Sequence, residues 1–183
     1  MARRYYDANH HGLPHDPLKA IVAPRPIGWI STYAEDGTAN LAPYSFFNLV
    51  SDSPKIVMFS STGWKNSATN AKERGAFAAN FASGTDRRAV NASSAPLPQS
   101  QSEFETIGIE PVRCRSVDAP MLPNVAAVLE CVVTETHVPA TRSDGRADAV
   151  LVFGEVVGYH IADGALVGGR FDTAAAAPLS RLG

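Results

Sequence analysis

At 183 residues and 19.4 kDa the chain has the size of one compact domain, expected to span 1–183. With 45% apolar against 19% charged residues it can bury a sizeable core, which excludes disorder as the default. The 16 basic and 18 acidic residues leave a formal charge of -2, unlike a protein built to neutralise nucleic-acid phosphates. Cys114 and Cys131 are too few for a disulfide scaffold and lack the spacing of a zinc site.

The amino end, Met1-Ala-Arg-Arg followed by Tyr-Tyr-Asp-Ala-Asn-His-His, is polar and unlike a signal core. No run approaches the roughly 18 to 20 apolar residues that span a bilayer. The plain expectation is a soluble cytoplasmic protein with neither membrane nor nucleic acid as partner. Pro14, Pro17, Pro24 and Pro26 make the segment 1–26 an extended one lying on the domain surface.

From Ile27 to Tyr33 the residues are β-branched and aromatic, and the run ends at the turn signal Glu35-Asp36-Gly37. A second strand is expected over Thr38 to Phe47 and a third over Lys55 to Ser60, after the breaker Ser53-Pro54. Ser67 to Arg74 reads as a short helix stopped by Gly75. Ala76 to Phe81 reads as a strand, Thr85 to Ala92 as a helix, and Pro96 to Gln101 as a loop.

Two longer apolar stretches follow, Val125 to Val138 and Ala149 to Ile161, joined through a polar segment with a reversal at Asp144-Gly145. Asp163-Gly164 and Gly168-Gly169 read as turns. Strands outnumber helices with no strand–helix rhythm. The expected fold class is therefore mainly β with a few short helices, most simply a barrel.

The stretch with most chemistry is Ser60-Ser-Thr-Gly-Trp-Lys-Asn-Ser67, placed between a strand end and a helix start. Two readings are open. Its hydroxyls serve as caps of the helix, or hydroxyls and ammonium together cradle a phosphate at the helix amino end. It is not a P-loop, since the Gly-Lys pair is missing. The chain has neither the Gly-x-Gly-x-x-Gly of a dinucleotide fold nor the Gly-x-Ser-x-Gly elbow of a hydrolase.

His10, His11 and His15 sit in the proline-rich leader. His137 and His160 lie on strands that could bring them together across a ladder, with a structurally satisfied histidine the simpler account of each. Arg25, between two prolines, pins an anion or a partner's carboxylate, or decorates a surface. The aromatic group Trp29, Tyr44, Phe46 and Phe47 reads as core.

Several segments in order resemble a known family: Tyr5-Tyr6, Gly12-Leu-Pro-His-Asp-Pro17, Ala23-Pro-Arg-Pro-Ile-Gly-Trp-Ile-Ser-Thr32 and Asn40-Leu-Ala-Pro-Tyr-Ser-Phe-Phe47. Ser53-Pro54, Lys65-Asn-Ser67, Phe77-Ala-Ala-Asn80, Glu103-Phe104, Leu129-Glu-Cys131, Phe153-Gly-Glu-Val156 and Arg181-Leu-Gly183 continue the likeness. Together they resemble the flavin reductase-like proteins with an FMN-binding split barrel, including flavoredoxins.

The resemblance implies a homodimer with FMN near the subunit interface. Carried onto this sequence, it implies that Ser45, Ser60, Ser61, Lys65 and Ser67 hold the phosphate and ribityl chain. Trp29, Ile30 and Ser31 with Ala42, Pro43 and Tyr44 would lie along the isoalloxazine through backbone groups. It further implies NAD(P)H as co-substrate, a cofactor that carries the chemistry, and no catalytic side chain or metal. A partner oxygenase or an electron donor protein is the implied associate.

Two departures stand out. Where many NADH:flavin reductases of the family carry Gly-Asp-His, this chain reads Ala147-Asp-Ala149 before Gly154. That loss favours a second reading, a flavoredoxin-like electron carrier. A related branch also usually continues past Arg-Leu-Gly to an aromatic, whereas this sequence ends at Gly183. A third reading is a barrel that binds a small ligand without redox work.

Overall fold

A computed structural model describes residues 1–142 and 145–183. The reversal expected at Asp144-Gly145 lies, at Asp144, outside the described residues. The segment 1–26 is extended only in part. Asp16 accepts the Leu18 N–H at 2.8 Å and starts a one-turn helix, α1 (Leu18–Ile21). Arg25 then donates to the carbonyls of Lys19 and Val22, which holds the end of that turn against β1 (Arg25–Pro26).

β2 (Gly28–Tyr33) turns through Asp36-Gly37, where Asp36 accepts the Thr38 N–H and Gly37 takes φ +86, into β3 (Ala39–Tyr44). The single strand expected over 38–47 is in fact interrupted at Ser45-Phe46, and β4 (Phe47–Asp52) begins there. β5 (Lys55–Ser61) leads into α2 (Asn66–Arg74), which Gly75 ends in the left-handed conformation at φ +68. β6 (Ala76–Phe81) follows, then a short 3-10 turn whose Ser83 and Asp86 bond reciprocally, and α3 (Arg87–Ala92).

A further helix, α4 (Glu103–Ile107), has no counterpart among the expected elements. The remaining strands are β7 (Val112–Arg113), β8 (Pro120–Met121), β9 (Ala127–His137), β10 (Val150–Ile161), β11 (Leu166–Val167) and β12 (Arg170–Phe171). Gly168-Gly169, both at positive φ, turn β11 into β12. Helix α5 (Thr173–Ala176) and β13 (Ser180–Arg181) finish the chain, with β13 laid against β1.

Seven strands form one antiparallel sheet in the order β3-β2-β6-β9-β10-β5-β4. Its two edges, β3 and β4, are consecutive in the chain and joined only by Ser45-Phe46. So short a link spans no more than about 10 Å, so the sheet must curl until its edges approach. They approach without pairing, and the protein is a mainly β split barrel with a few short helices.

Ile30, Val57, Phe59, Phe77, Cys131 and Val152 fill the barrel, and α2 lays Ala68 and Ala71 on them. A second cluster, around Trp29, Leu41, Val90 and Phe104, packs α3 and α4 on the outside of β2 and β3. The two strand histidines do not meet. His137 faces Leu151 and His160 faces Val128, at opposite ends of the β9–β10 ladder.

Candidate flavin-binding cleft

The Ser60–Ser67 stretch is split by strand geometry. Val57, Phe59 and Ser61 are the buried positions of β5, so Ser60, one residue away, points to the other face. Ser60 contributes its N–H to the Phe46 carbonyl at 2.8 Å, tying β5 to the link between the sheet edges. Ser61 is buried, and its hydroxyl has no hydrogen-bond partner among the described residues.

The residue at the cap position of α2 is Lys65, extended at φ -85 and ψ 170, and no side chain caps the helix. The hydroxyls of Ser60, Ser61 and Thr62 therefore do not serve as caps. Lys65 N–H bonds back to Gly63, and Thr69 N–H is the first to find a helical acceptor, at Lys65. The N–H groups of Asn66, Ser67 and Ala68 are left at the open end of the helix, with the exposed Lys65 beside them. Those donors, a free ammonium and a positive helix end fit a phosphate.

Lys65, Asn66 and Ser67 form one wall of a cleft of about 310 Å³. Ala42, Pro43 and Tyr44 of β3 form its floor, and residues 93–97 the far wall. Leu41 turns its N–H outward to Glu103, so by the two-residue period Pro43 also faces away from β2. A proline there gives up no ladder bond, and its carbonyl is offered toward the cleft.

Behind this floor lies a buried polar network. Asn40 donates to Glu103 at 2.9 Å and accepts from Ser67 at 2.7 Å, while Thr32 and Asn70 continue the chain of bonds beneath. The Ser67 hydroxyl is thus engaged in anchoring α2 to β3 and faces away from solvent. What Ser67 offers a ligand is its backbone N–H.

Tyr44 lines the same cleft. Burial pushes its pKa above the ordinary phenol value, so it stays a neutral donor. Of the remaining expected residues, Ser45 lines an adjoining pocket that shares Pro43 with the cleft.

Trp29, Ile30 and Ser31 lie behind the cleft, each at most 1% exposed. Their backbones are paired on both sides, with β3 and with β6. The Trp29 indole donates to Ser93, and Ser31 donates to the Pro120 carbonyl. They support the site from the core. Sequence reasoning gave no role to Asn40, Asn66, residues 93–97 or Glu103. The signal that could have found Glu103 is a carboxylate two residues past the loop of 96–101.

The sequence matches the flavin reductase-like domain family over residues 22–174. The chain belongs to that family. It is 36% identical over 170 residues to an uncharacterised protein of Halalkalibacterium halodurans, covering 90% of this chain and 81% of that one. Its fold superposes with a TM-score of 0.88 and 28% identity on nitrilotriacetate monooxygenase component B from Bacillus cereus, covering 100% of this chain and 93% of that one. Flavoredoxin of Desulfovibrio vulgaris shares the fold at a TM-score of 0.76 and 19% identity, with 87% and 82% covered. Among the described residues no helix is long and apolar enough to cross a membrane.

Proposed function

We propose that this flavin reductase-like protein is an FMN-binding oxidoreductase, passing reducing equivalents from NAD(P)H through FMN to a flavin or another acceptor. The uncapped amino end of α2 beside Lys65 is the observation that carries this reading. When bound, FMN supplies the two-electron chemistry, for which no protein nucleophile is needed. Lys65 and the N–H groups of Asn66, Ser67 and Ala68 bind the phosphate, and the buried Ser61 hydroxyl meets its missing partner on the cofactor. The β3 backbone at Pro43 and the Tyr44 phenol orient the ring side of the ligand.

A second reading, an electron carrier with little nicotinamide activity, is favoured by one observation. Ala149 stands where the family's nicotinamide-linked histidine is expected, next to the Ser61–Val150 pair, and no cleft-lining residue is a histidine. The Bacillus cereus protein is named as a component of a monooxygenase. On that likeness we assign reduced flavin supply to a partner oxygenase as the service this protein performs. The homodimer is proposed from the family likeness alone.

The deciding measurement is a visible absorption spectrum of purified protein before and after FMN, followed by anaerobic NADH or NADPH. A bound flavin that bleaches fast with saturation supports the reductase. A bound flavin that stays oxidised until a protein donor is added supports the carrier. A protein that takes up no FMN removes both.

A further inference from the structure

Beside the cleft lies a second pocket, of about 300 Å³, which shares Pro43 and Ser94 with it. Its floor is apolar, from Ile27, Val90 and Leu179, and its rim carries two arginines, Arg87 and Arg181. No lining residue is acidic. Among the described residues neither arginine pairs with a side-chain carboxylate; Arg181 Nε donates to the main-chain oxygen of Gly183 at 3.2 Å.

The charge here is unbalanced on two counts. Arg181 faces Arg25 directly across the β1–β13 ladder, a like-charge juxtaposition that is unfavourable unless an anion relieves it. Asp86, next to Arg87 in the chain, is committed to Ser83, whose N–H and hydroxyl it accepts at 2.9 and 2.6 Å. The hydroxyls of Ser45 and Ser180 add neutral donors between the guanidinium groups.

We infer that this pocket binds the anionic group of the molecule that exchanges electrons with the flavin, a carboxylate or phosphate carried on a flat apolar body. The inference rests on the reading of the cleft as the flavin site. The shared edge at Pro43 and Ser94 makes a ligand here a neighbour of one in the cleft. Arginine forks match carboxylate and phosphate oxygens, and the apolar floor accepts a ring. Two sources offer this chemistry: the pyrophosphate of a nicotinamide nucleotide, or the carboxylate of an aromatic acid.

The test titrates inorganic pyrophosphate and, separately, benzoate into the FMN-loaded protein by calorimetry at low salt, so that the α2 phosphate site is already filled. Wild type is compared with Arg87→Ala, Arg181→Ala and Arg87→Lys, each checked for an unchanged melting temperature and unchanged FMN content. Expected is binding of at least one probe, weakened 10-fold or more by either arginine-to-alanine change and partly retained in Arg87→Lys. Pyrophosphate as the better probe assigns the pocket to the nicotinamide nucleotide, and benzoate assigns it to an acidic acceptor.

Binding of neither probe, or binding kept at wild-type strength in both arginine-to-alanine variants, overturns the inference. A parallel FMN titration of wild type separates the two readings. Failure there sinks the flavin site whatever the anions do, and normal FMN binding without anion binding sinks the arginine pocket alone.

Discussion

One carboxylate oxygen of Glu103 accepts both the Asn40 side-chain amide and the Leu41 backbone N–H, each at 2.9 Å. The carboxylate is 3% exposed and has no cation partner among the described residues. It therefore joins α4 to the strand that floors the cleft by hydrogen bonds alone. Glu103→Ala leaves two buried donors unsatisfied, and the expected loss of stability is about 3 kcal/mol. Glu103→Gln keeps one acceptor oxygen and loses less. Urea denaturation of both variants checks the order, and equal losses would assign the effect to packing.

The Lys65 side chain is exposed and its ammonium has no hydrogen-bond or ion-pair partner among the described residues, so truncating it costs the empty protein little. Against a phosphate dianion its ammonium makes a charge-assisted bond. Lys65→Ala is expected to weaken FMN binding by about 1.5 to 3 kcal/mol, on the order of 10- to 150-fold. Quenching of flavin fluorescence on titration gives the dissociation constant. An unchanged value would move the phosphate away from α2.

Ser61 has the opposite balance. Its buried hydroxyl is unsatisfied in the ligand-free protein. Ser61→Ala is expected to raise the stability of the flavin-free protein by about 1 kcal/mol while lowering FMN affinity several-fold. Paired thermal melts with and without FMN read both effects. A variant that loses stability in both states would mean that the hydroxyl is satisfied by water.

Glu130 shows how the fold responds to acid. Burial by itself would raise its pKa, but the His160 ring and the N–H groups of Arg115 and Ser116 together hold it below the ordinary carboxylate value. A lowered folded-state pKa adds stability above the unfolded carboxylate range. That stability is lost as pH falls through the folded value. Glu130→Gln is expected to cost about 2 kcal/mol at pH 7, with the gap to wild type closing in acid. Denaturation midpoints measured between pH 7 and pH 3 check this, and a gap independent of pH would exclude the charge as its cause.

Gly154 sits at an irregularity in the β9–β10 register, and a Cβ there would overlap the Phe77 ring and crowd Cys131. Gly154→Ala is expected to destabilise the barrel by about 1 to 3 kcal/mol. Combined with Phe77→Leu, which clears the ring edge, the double variant is expected to lose less than the two single losses added. Strict additivity would show that the glycine is needed for its backbone instead.

Local signals were legible where neighbours in sequence make the structure. Gly75 ends α2, Asp36-Gly37 turns β2 into β3, and the apolar runs become β9 and β10. The turn at Ser45-Phe46 was not legible, because apolar and aromatic residues continue through it. Only pairing with β5 on the far side of the sheet separates Phe47 from Tyr44. Helix α4 was hidden for a similar reason: its Phe104 belongs to the cluster around Trp29, and its Glu103 bonds to β3 more than sixty residues earlier.

The sequence by itself determined the β-rich class, the family likeness and the stock of donors between Ser60 and Ser67. The tertiary structure alone decided how that stock is divided. Ser60 and Ser61 take opposite faces because a strand alternates, and the Ser67 hydroxyl is drawn inward by Asn40. Trp29, Ile30 and Ser31 are buried because both faces of β2 are covered, Ile30 by the barrel core, Trp29 by the cluster with Val90 and Phe104, and Ser31 by the segment at Pro120. Lys65 is left at an uncapped helix end. Which way a side chain points depends on partners distant in the chain, and a linear motif carries no record of them.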